Sequence, residues 1–255
     1  MKFKVMTFNL RSEWKDEGKY SFPFRRDAMC TFLKREKPDI VGCQESVPLI
    51  RRYLAENLPE YEFLAVDANE KLRNDVAIAY RRDKFDLFGL EQFWVSPTPN
   101  IPYSRYPDQA PFPRMATLAT LVCRENGQPV VMLNSHLDHI SENARVEGAK
   151  LLAARLSQYA NIPAFLTGDF NAYPGTPAIE AVLAHPELQE LTAPLGADVA
   201  TYHGYGKVTE NCKIDYIFAT RAVTPVPNTL MIHNDRNEEG INISDHYPIS
   251  ITVET

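Results

Sequence analysis

The chain has 255 residues, 44% of them hydrophobic and 24% charged, which suits a sizeable packed core and excludes a disordered protein. Its formal net charge of −6 argues against long nucleic acid as the obvious partner: the doubled arginines Arg25-Arg26, Arg51-Arg52 and Arg81-Arg82 are scattered among acids and form no basic run. No apolar run reaches the roughly 20 residues that span a bilayer, and the opening turns polar too soon for a signal peptide, so a cytoplasmic protein is expected, one domain over residues 1–255.

Apolar, β-branched and aromatic runs alternate with helical patterns. A strand is expected at Phe3–Leu10, then a helix at Arg25–Lys37 and a strand at Ile40–Cys43. A helix at Val47–Asn57 follows, with Ser46 as its N-cap and Ile50, Tyr53, Leu54 and Leu58 on one face. Strands are expected at Phe63–Val66, Val76–Tyr80 and Phe85–Trp94. The stretch from Ser96 to Arg114 carries six prolines and fits neither a helix nor a central strand. It reads either as a surface loop pinned by Tyr103, Tyr106 and Phe112 or as a substrate-facing wall.

Strands Ala116–Cys123 and Val130–Ser135 come next, then a helix at Glu142–Tyr159 starting after Ser141, with Glu142 favourably placed in its first turn. A strand at Ala164–Thr167 and a helix at Pro177–Ala184 precede strands at Ile214–Thr220, Thr229–His233 and Ile249–Val253. Many strands, fewer helices and mixed connections predict sheets packed together with helices outside. The cysteines Cys30, Cys43, Cys123 and Cys212 stand far apart, with no Cys-x-x-Cys pair to suggest zinc or redox chemistry; Cys43 and Cys123 lie in apolar runs and read as core residues.

The informative feature is where the polar residues fall. Asn9 sits near the end of the first strand, and Ile40–Cys43 runs into Gln44-Glu45. Val130–Ser135 runs into His136-Leu137-Asp138-His139, and Ala164–Thr167 into Gly168-Asp169-Phe170-Asn171. Asp215 opens one strand, and Ser244-Asp245-His246 precedes the last. Strand ends hold side chains rigidly within reach of solvent, which is where ligand sites gather in α/β folds. The donors are hard oxygens suited to Mg²⁺, with Mn²⁺ as a substitute; Glu45 with Asn9 would make a first shell. His246 with Asp215 or Asp245 could take a proton from water, and His136 and Asn171 could donate to phosphoryl oxygens. Singly, each has a plainer reading: Asp169 and Asn171 as an Asx turn, Asp215 as a surface partner of Lys213, Glu45 as a solvated acid.

Taken in order, Thr7-Phe8-Asn9-Leu10, Gln44-Glu45, Asn134-Ser135-His136-Leu137-Asp138, Gly168-Asp169-Phe170-Asn171-Ala172, Ile214-Asp215-Tyr216-Ile217 and Ser244-Asp245-His246-Tyr247-Pro248 resemble the endonuclease/exonuclease/phosphatase superfamily. The resemblance implies a DNase I-like α/β (α+β) fold: a four-layer sandwich of two stacked mixed β-sheets flanked by helices. It also implies roles. Glu45 would be the main metal carboxylate, helped by Asn9, with Asp245 assisting the metal or a second one. Asp169 would position or deprotonate the attacking water, and Asn171 would hold the phosphate. His246 would act with Asp215 on the phosphate or as base, and His136 would stabilise the transition state. A histidine at 136 leans toward the phosphatase and deadenylase branches, since repair nucleases carry a tyrosine in that region.

Substrate is not dictated by these shared residues. Arg114, His203 and Tyr202 are candidates for substrate contact, with Arg114 and His203 ahead of Tyr202, while Asp138 and His139 stay open. The expected activity is a metal-dependent phosphodiesterase or phosphomonoesterase on a small or short phosphate ester. A DNA or RNA nuclease is the alternative, and an inactive binding scaffold a remote one. Asn242-Ile243-Ser244 fits a glycosylation pattern, but a glycan would crowd Asp245 and His246, so it reads as coincidence.

Overall fold

A computed structural model describes residues 1–12, 18–65 and 75–255. The chain runs β1 (Lys2–Asn9), α1 (Phe22–Glu36), β2 (Ile40–Gln44), α2 (Pro48–Asn57), β3 (Tyr61–Leu64), β4 (Ala77–Arg81) and β5 (Phe85–Trp94). It continues with β6 (Met115–Cys123), β7 (Pro129–His136), α3 (Glu142–Ser157), β8 (Ala164–Asp169), α4 (Pro177–Leu183) and β9 (Leu188–Glu190). The remaining strands are β10 (Asp215–Thr220), β11 (Thr224–Pro225), β12 (Met231–Ile232) and β13 (Ile249–Glu254).

The strands form two mixed sheets. The first has the order β11-β13-β1-β2-β4-β3, with β12 also on β13; the second has the order β5-β6-β7-β8-β10-β9. Within each, one central pair is parallel, β1 with β2 and β7 with β8, and the other pairs are antiparallel. The sheets face each other across an apolar layer in which Phe3, Val5 and Ile78 of one meet Leu121, Met132 and Phe165 of the other. Helices α1 and α2 cover the outer face of the first sheet through Met29, Phe32, Ile50 and Leu54. Helices α3 and α4 cover the second through Leu152, Leu156, Ile179 and Val182. This is the expected four-layer sandwich.

Toward the end of the sandwich that carries the site, the inter-sheet layer turns polar. Gln44 Nε2 donates to Asn134 Oδ1 at 2.6 Å, and Thr167 Oγ1 donates to the same oxygen at 3.1 Å. Asn134 Nδ2 crosses to the carbonyls of Cys43 and Ala77, each at 2.9 Å. The network needs close approach of the sheets. A Cβ on Gly42 would lie 1.9 Å from Thr167 Oγ1 and 2.7 Å from Asn134 Oδ1, so only glycine fits. Stranding one member of such a network costs about 1–3 kcal/mol, which locks the relative position of the sheets beneath the site.

Some boundaries differ from expectation. Helix α1 begins at Phe22, three residues early, because Pro23 suits a first helical turn. Ser46 does not cap α2: Val47 holds the N-cap position without a side-chain bond, Pro48 starts the helix, and the Ser46 hydroxyl instead donates to the carbonyls of Cys43 and Asp75. Ser141 does cap α3, accepting from Ala144 N at 3.0 Å. The strand expected at Phe63–Val66 is Tyr61–Leu64, and Val66 lies outside the described residues. That expected at Thr229–His233 shrinks to Met231–Ile232. Lys213 ignores Asp215 and pairs, buried, with Glu190 at 2.8 Å. No helix among the described residues is long and apolar enough to cross a membrane.

Candidate active site

Strand direction decides where the polar residues go. The C-terminal ends of the parallel pairs carry Asn9 and Glu45 in one sheet and His136 and Asp169 in the other. Strands β4, β6, β10 and β13 run the opposite way, so the residues at their starts, Asp75, Arg114, Asp215 and Asp245-His246, come to the same end. Both sheets thus open onto one cavity of about 720 Å³, lined among others by Glu45, Asp75, Arg114, His136, Asp169, Asn171, Asp245 and His246. Asn9 and Asp215 sit just behind this lining and bond to it.

Asp169 is the hub. Its Oδ1 accepts from Asn171 N at 3.0 Å, so the Asx turn forms and occupies only one oxygen. Its Oδ2 accepts from Asn9 Nδ2 at 3.0 Å and lies 3.5 Å from His136 Nε2 and 3.6 Å from His246 Nε2. Behind His246, Nδ1 bonds Asp215 Oδ2 at 2.9 Å, which orients the ring. Asn171 Nδ2 spends one hydrogen on Leu137 O at 3.0 Å and keeps the other. Glu45 Oε2 accepts from Ser12 N at 2.8 Å, and Oε1 stands 3.4 Å from Asn9 Nδ2. Arg11 reaches Asp245 Oδ2 at 3.2 Å.

Three of these positions hold a left-handed backbone without being glycine: Arg11 at φ 55°, Glu45 at φ 52° and Asn171 at φ 47°. Each costs on the order of 1–2 kcal/mol, and such strain gathers where side-chain aim matters more than stability.

The electrostatics separate the groups. Burial, reinforced by neighbouring Asp215, pushes the Asp169 carboxyl up to about 7 against the pull of His246. Burial disfavours the His246 imidazolium, but Asp215 and Asp169 outweigh it and raise the ring to about 10. His246 is therefore charged at neutral pH. Burial and the Arg114 charge drive His136 well below the ordinary imidazole value, so that ring is neutral. Burial works against the Glu45 carboxylate, but the neighbouring His136, the Ser12 amide, His246 and Arg11 outweigh it and hold the group below the usual range. Asp245 is pushed up by burial, and Arg11 only partly offsets this.

Two groups of side chains could hold a cation. Asp169, Asp215 and His246 bring ligand atoms within 4.8 Å of one another, with His246 Nδ1 already bonded to Asp215 Oδ2 at 2.9 Å. Glu45 and Asp245 line the same cavity, with Asn9 at hand. That set is oxygen-rich and anionic, the chemistry that suits Mg²⁺ or Mn²⁺.

Not every expected residue reaches the cavity. His203 faces the other way and lines a neighbouring pocket of about 410 Å³, stacked on Tyr247 with ring centroids 4.2 Å apart. Its neighbour Tyr202 is the cavity residue, its ring 4.7 Å from that of His246. Asp138 is wholly taken up by structure: Oδ1 accepts from Ile140 N at 3.0 Å and Ser141 N at 2.7 Å, and Oδ2 from Ala110 N at 3.1 Å. His139 does line the cavity, with Nδ1 3.1 Å from Arg114. Asp75 and Arg11 were not anticipated. Asp75 lies two residues before β4, much as Asp215 opens β10, so its place at a strand start could be read; the turn that aims Arg11 leaves no mark in the sequence.

The endonuclease/exonuclease/phosphatase family model matches residues 6–246, nearly the whole chain. The chain belongs to that family. Members of the family are phosphoesterase hydrolases and generally use a divalent metal. Among solved structures, a family member from Bacteroides vulgatus is 25% identical, covers 100% of this chain and 99% of its own, and superposes with a TM-score of 0.87. The mannosyl-6-phosphatase of Bacteroides thetaiotaomicron is 25% identical, covering 99% of this chain and all of its own, with a TM-score of 0.83. TDP2 of D. rerio, solved with a single-strand DNA product, is 20% identical over 100% and 99% of the two chains, at a TM-score of 0.78, and shows the fold alone. No curated protein matches the sequence.

Proposed function

We propose that the chain acts, as one catalytic unit over its 255 residues, as a phosphatase on the phosphate ester of a small molecule, assisted by Mg²⁺ or Mn²⁺ held by Glu45 with Asn9 and Asp245. The observation that carries this reading is the convergence on Asp169 Oδ2: an amide at 3.0 Å and two imidazoles at 3.5 and 3.6 Å, in a cavity whose volume suits a small ligand. A cation bound there would neutralise charge on the phosphoryl group and make bound water more acidic.

The side chains divide the remaining work. Asp169 accepts the proton of the attacking water, since Oδ2 faces the cavity and its affinity for a proton is tuned near neutrality. His246 is already protonated, so it serves as a donor to a phosphoryl oxygen, with Asp215 fixing the ring. Neutral His136 and the free amide hydrogen of Asn171 donate to the oxygens on which charge develops. Arg114 contributes a buried cation on the substrate side. Because the Bacteroides thetaiotaomicron relative is a mannosyl-6-phosphatase, sugar phosphates are the first natural substrates to try.

The test compares p-nitrophenyl phosphate with bis-p-nitrophenyl phosphate, with Mg²⁺, with Mn²⁺ and with chelator, for the wild type, Glu45→Ala and His246→Ala. The expected result is metal-dependent release from the monoester that either substitution abolishes. Preference for the diester would turn the reading to a phosphodiesterase. Absence of turnover together with absence of Mn²⁺ binding would overturn the catalytic reading.

A further inference from the structure

The proline-rich segment ahead of β6 is far more ordered than its composition suggests. Tyr103 stacks on Trp94 with centroids 5.7 Å apart, and Tyr106 is buried. Gln109 ties the segment to itself: its Oε1 accepts from Tyr106 N at 2.8 Å, and its Nε2 donates to Phe112 O at 2.6 Å. Ala110 N is anchored on buried Asp138 at 3.1 Å. Phe112 stands between Pro111 and Pro113, which fix their own φ and restrict the residue before each. All this fastening delivers an aromatic ring that is not buried: Phe112 is 60% exposed, on the cavity wall.

An exposed phenylalanine on a rigid backbone gains nothing from the core. Its ring is presented to whatever enters the cavity. Two residues on, Arg114 lines the same cavity and sits 8% exposed, so the ring and the guanidinium face the same space. A cation at one end and an apolar face at the other describe a ligand with an anion and a flat surface joined by a short linkage.

We propose that Phe112 forms an aromatic subsite that takes the flat apolar face of the leaving group, so the substrates are phosphate esters of ring compounds and not of open-chain alcohols. The inference rests on the phosphatase reading of the site. Two sources share this chemistry, the apolar face of a sugar ring and the face of a nucleoside base, and the substrates below separate them.

The experiment measures kcat/KM for a hexose 6-phosphate, a nucleoside 5′-monophosphate and glycerol 3-phosphate, for the wild type, Phe112→Ala and Phe112→Trp. The wild type should prefer one ring ester to the glycerol ester, and whichever ring is preferred identifies the source. In Phe112→Ala that preference should fall about tenfold, the size of one lost ring contact, through KM and not kcat. Phe112→Trp should restore it. An unchanged preference in Phe112→Ala, or equal losses on ring and open-chain esters, would overturn the subsite. The phosphatase reading fails by a different sign: no metal-dependent release from any of the three esters or from p-nitrophenyl phosphate, in the wild type itself.

Discussion

Asp138 and Asp169 make an instructive pair. Both are almost fully buried, both lie at the ends of interior strands of the second sheet, and both anchor a turn through Oδ1. They part at the second oxygen. Asp138 Oδ2 accepts from the backbone of the proline-rich segment, so the carboxylate is used up in joining that segment to the start of α3. Asp169 Oδ2 meets an amide and two imidazoles; both imidazoles line the cavity, and Asn9 stands just behind it. The difference lies in the company each carboxylate keeps. Asp138 is held by three backbone amides, with Arg114 Nε 3.9 Å from its Oδ2, whereas Asp169 Oδ2 is met by side chains alone.

Exchanging each aspartate for its neutral shape should separate the two uses. Asp169→Asn keeps an acceptor for Asn171 N but removes the proposed base, and kcat should fall about 1,000-fold or more with little change in the unfolding midpoint; steady-state kinetics and thermal melts on one preparation test this. A variant that instead lost stability and kept kcat would merge the two aspartates into one structural class.

Asp215→Asn probes the next contact out. It should cost about 100-fold in kcat, because the ring of His246 loses its orienting partner. It should also change the pH dependence of stability. The His246 imidazole is raised to about 10 in the folded chain from an ordinary 6.5, so it adds stability that is complete below pH 6.5 and lost as pH climbs through 10. Urea midpoints at pH 6 and pH 10 should drop less steeply in Asp215→Asn than in the wild type.

Asp138→Ala belongs to stability. It strands three backbone donors, two of them buried, and urea unfolding should show a loss of about 2 kcal/mol or more. Catalysis at saturating substrate should decline far less than in Asp169→Asn. The smallest effect is expected of Ser141→Ala, which removes the α3 cap beside Asp138 and should cost about 1 kcal/mol in the same assay.

Much of the site was legible because the sequence announces strand ends. Asn9, Glu45, His136, Asp169 and Asp215 each interrupt an apolar run, and the structure gathers all five at one end of the sandwich. What the sequence withheld was direction. Whether His203 or Tyr202 enters the cavity depends on the phase of an isolated bridge between Tyr202 and His246, which carries no periodic signal. The edge strands Leu188–Glu190 and Thr224–Pro225 are too short to show alternation at all. Helix α2 misled because a hydroxyl beside a helix start has other carbonyls within reach. Of the two readings of the proline-rich segment, pinning by Tyr103 and Tyr106 describes its middle and the cavity wall describes its end at Phe112.

Arg25 adds a consequence for how the molecule comes together. Its fully buried guanidinium donates to the carbonyls of Leu10, Arg11 and Tyr20, and also to that of Ile243, 218 positions further along. A ribosome-bound chain that has emerged only as far as β8 therefore has an arginine whose carbonyl cage is open on one side, and its charge holds that region in water. The segment bearing Asp245 and His246 closes the cage as it docks. Formation of the cavity end that carries Asp245 and His246 is thereby tied to a contact between residues 218 positions apart, a slow kind of contact to make.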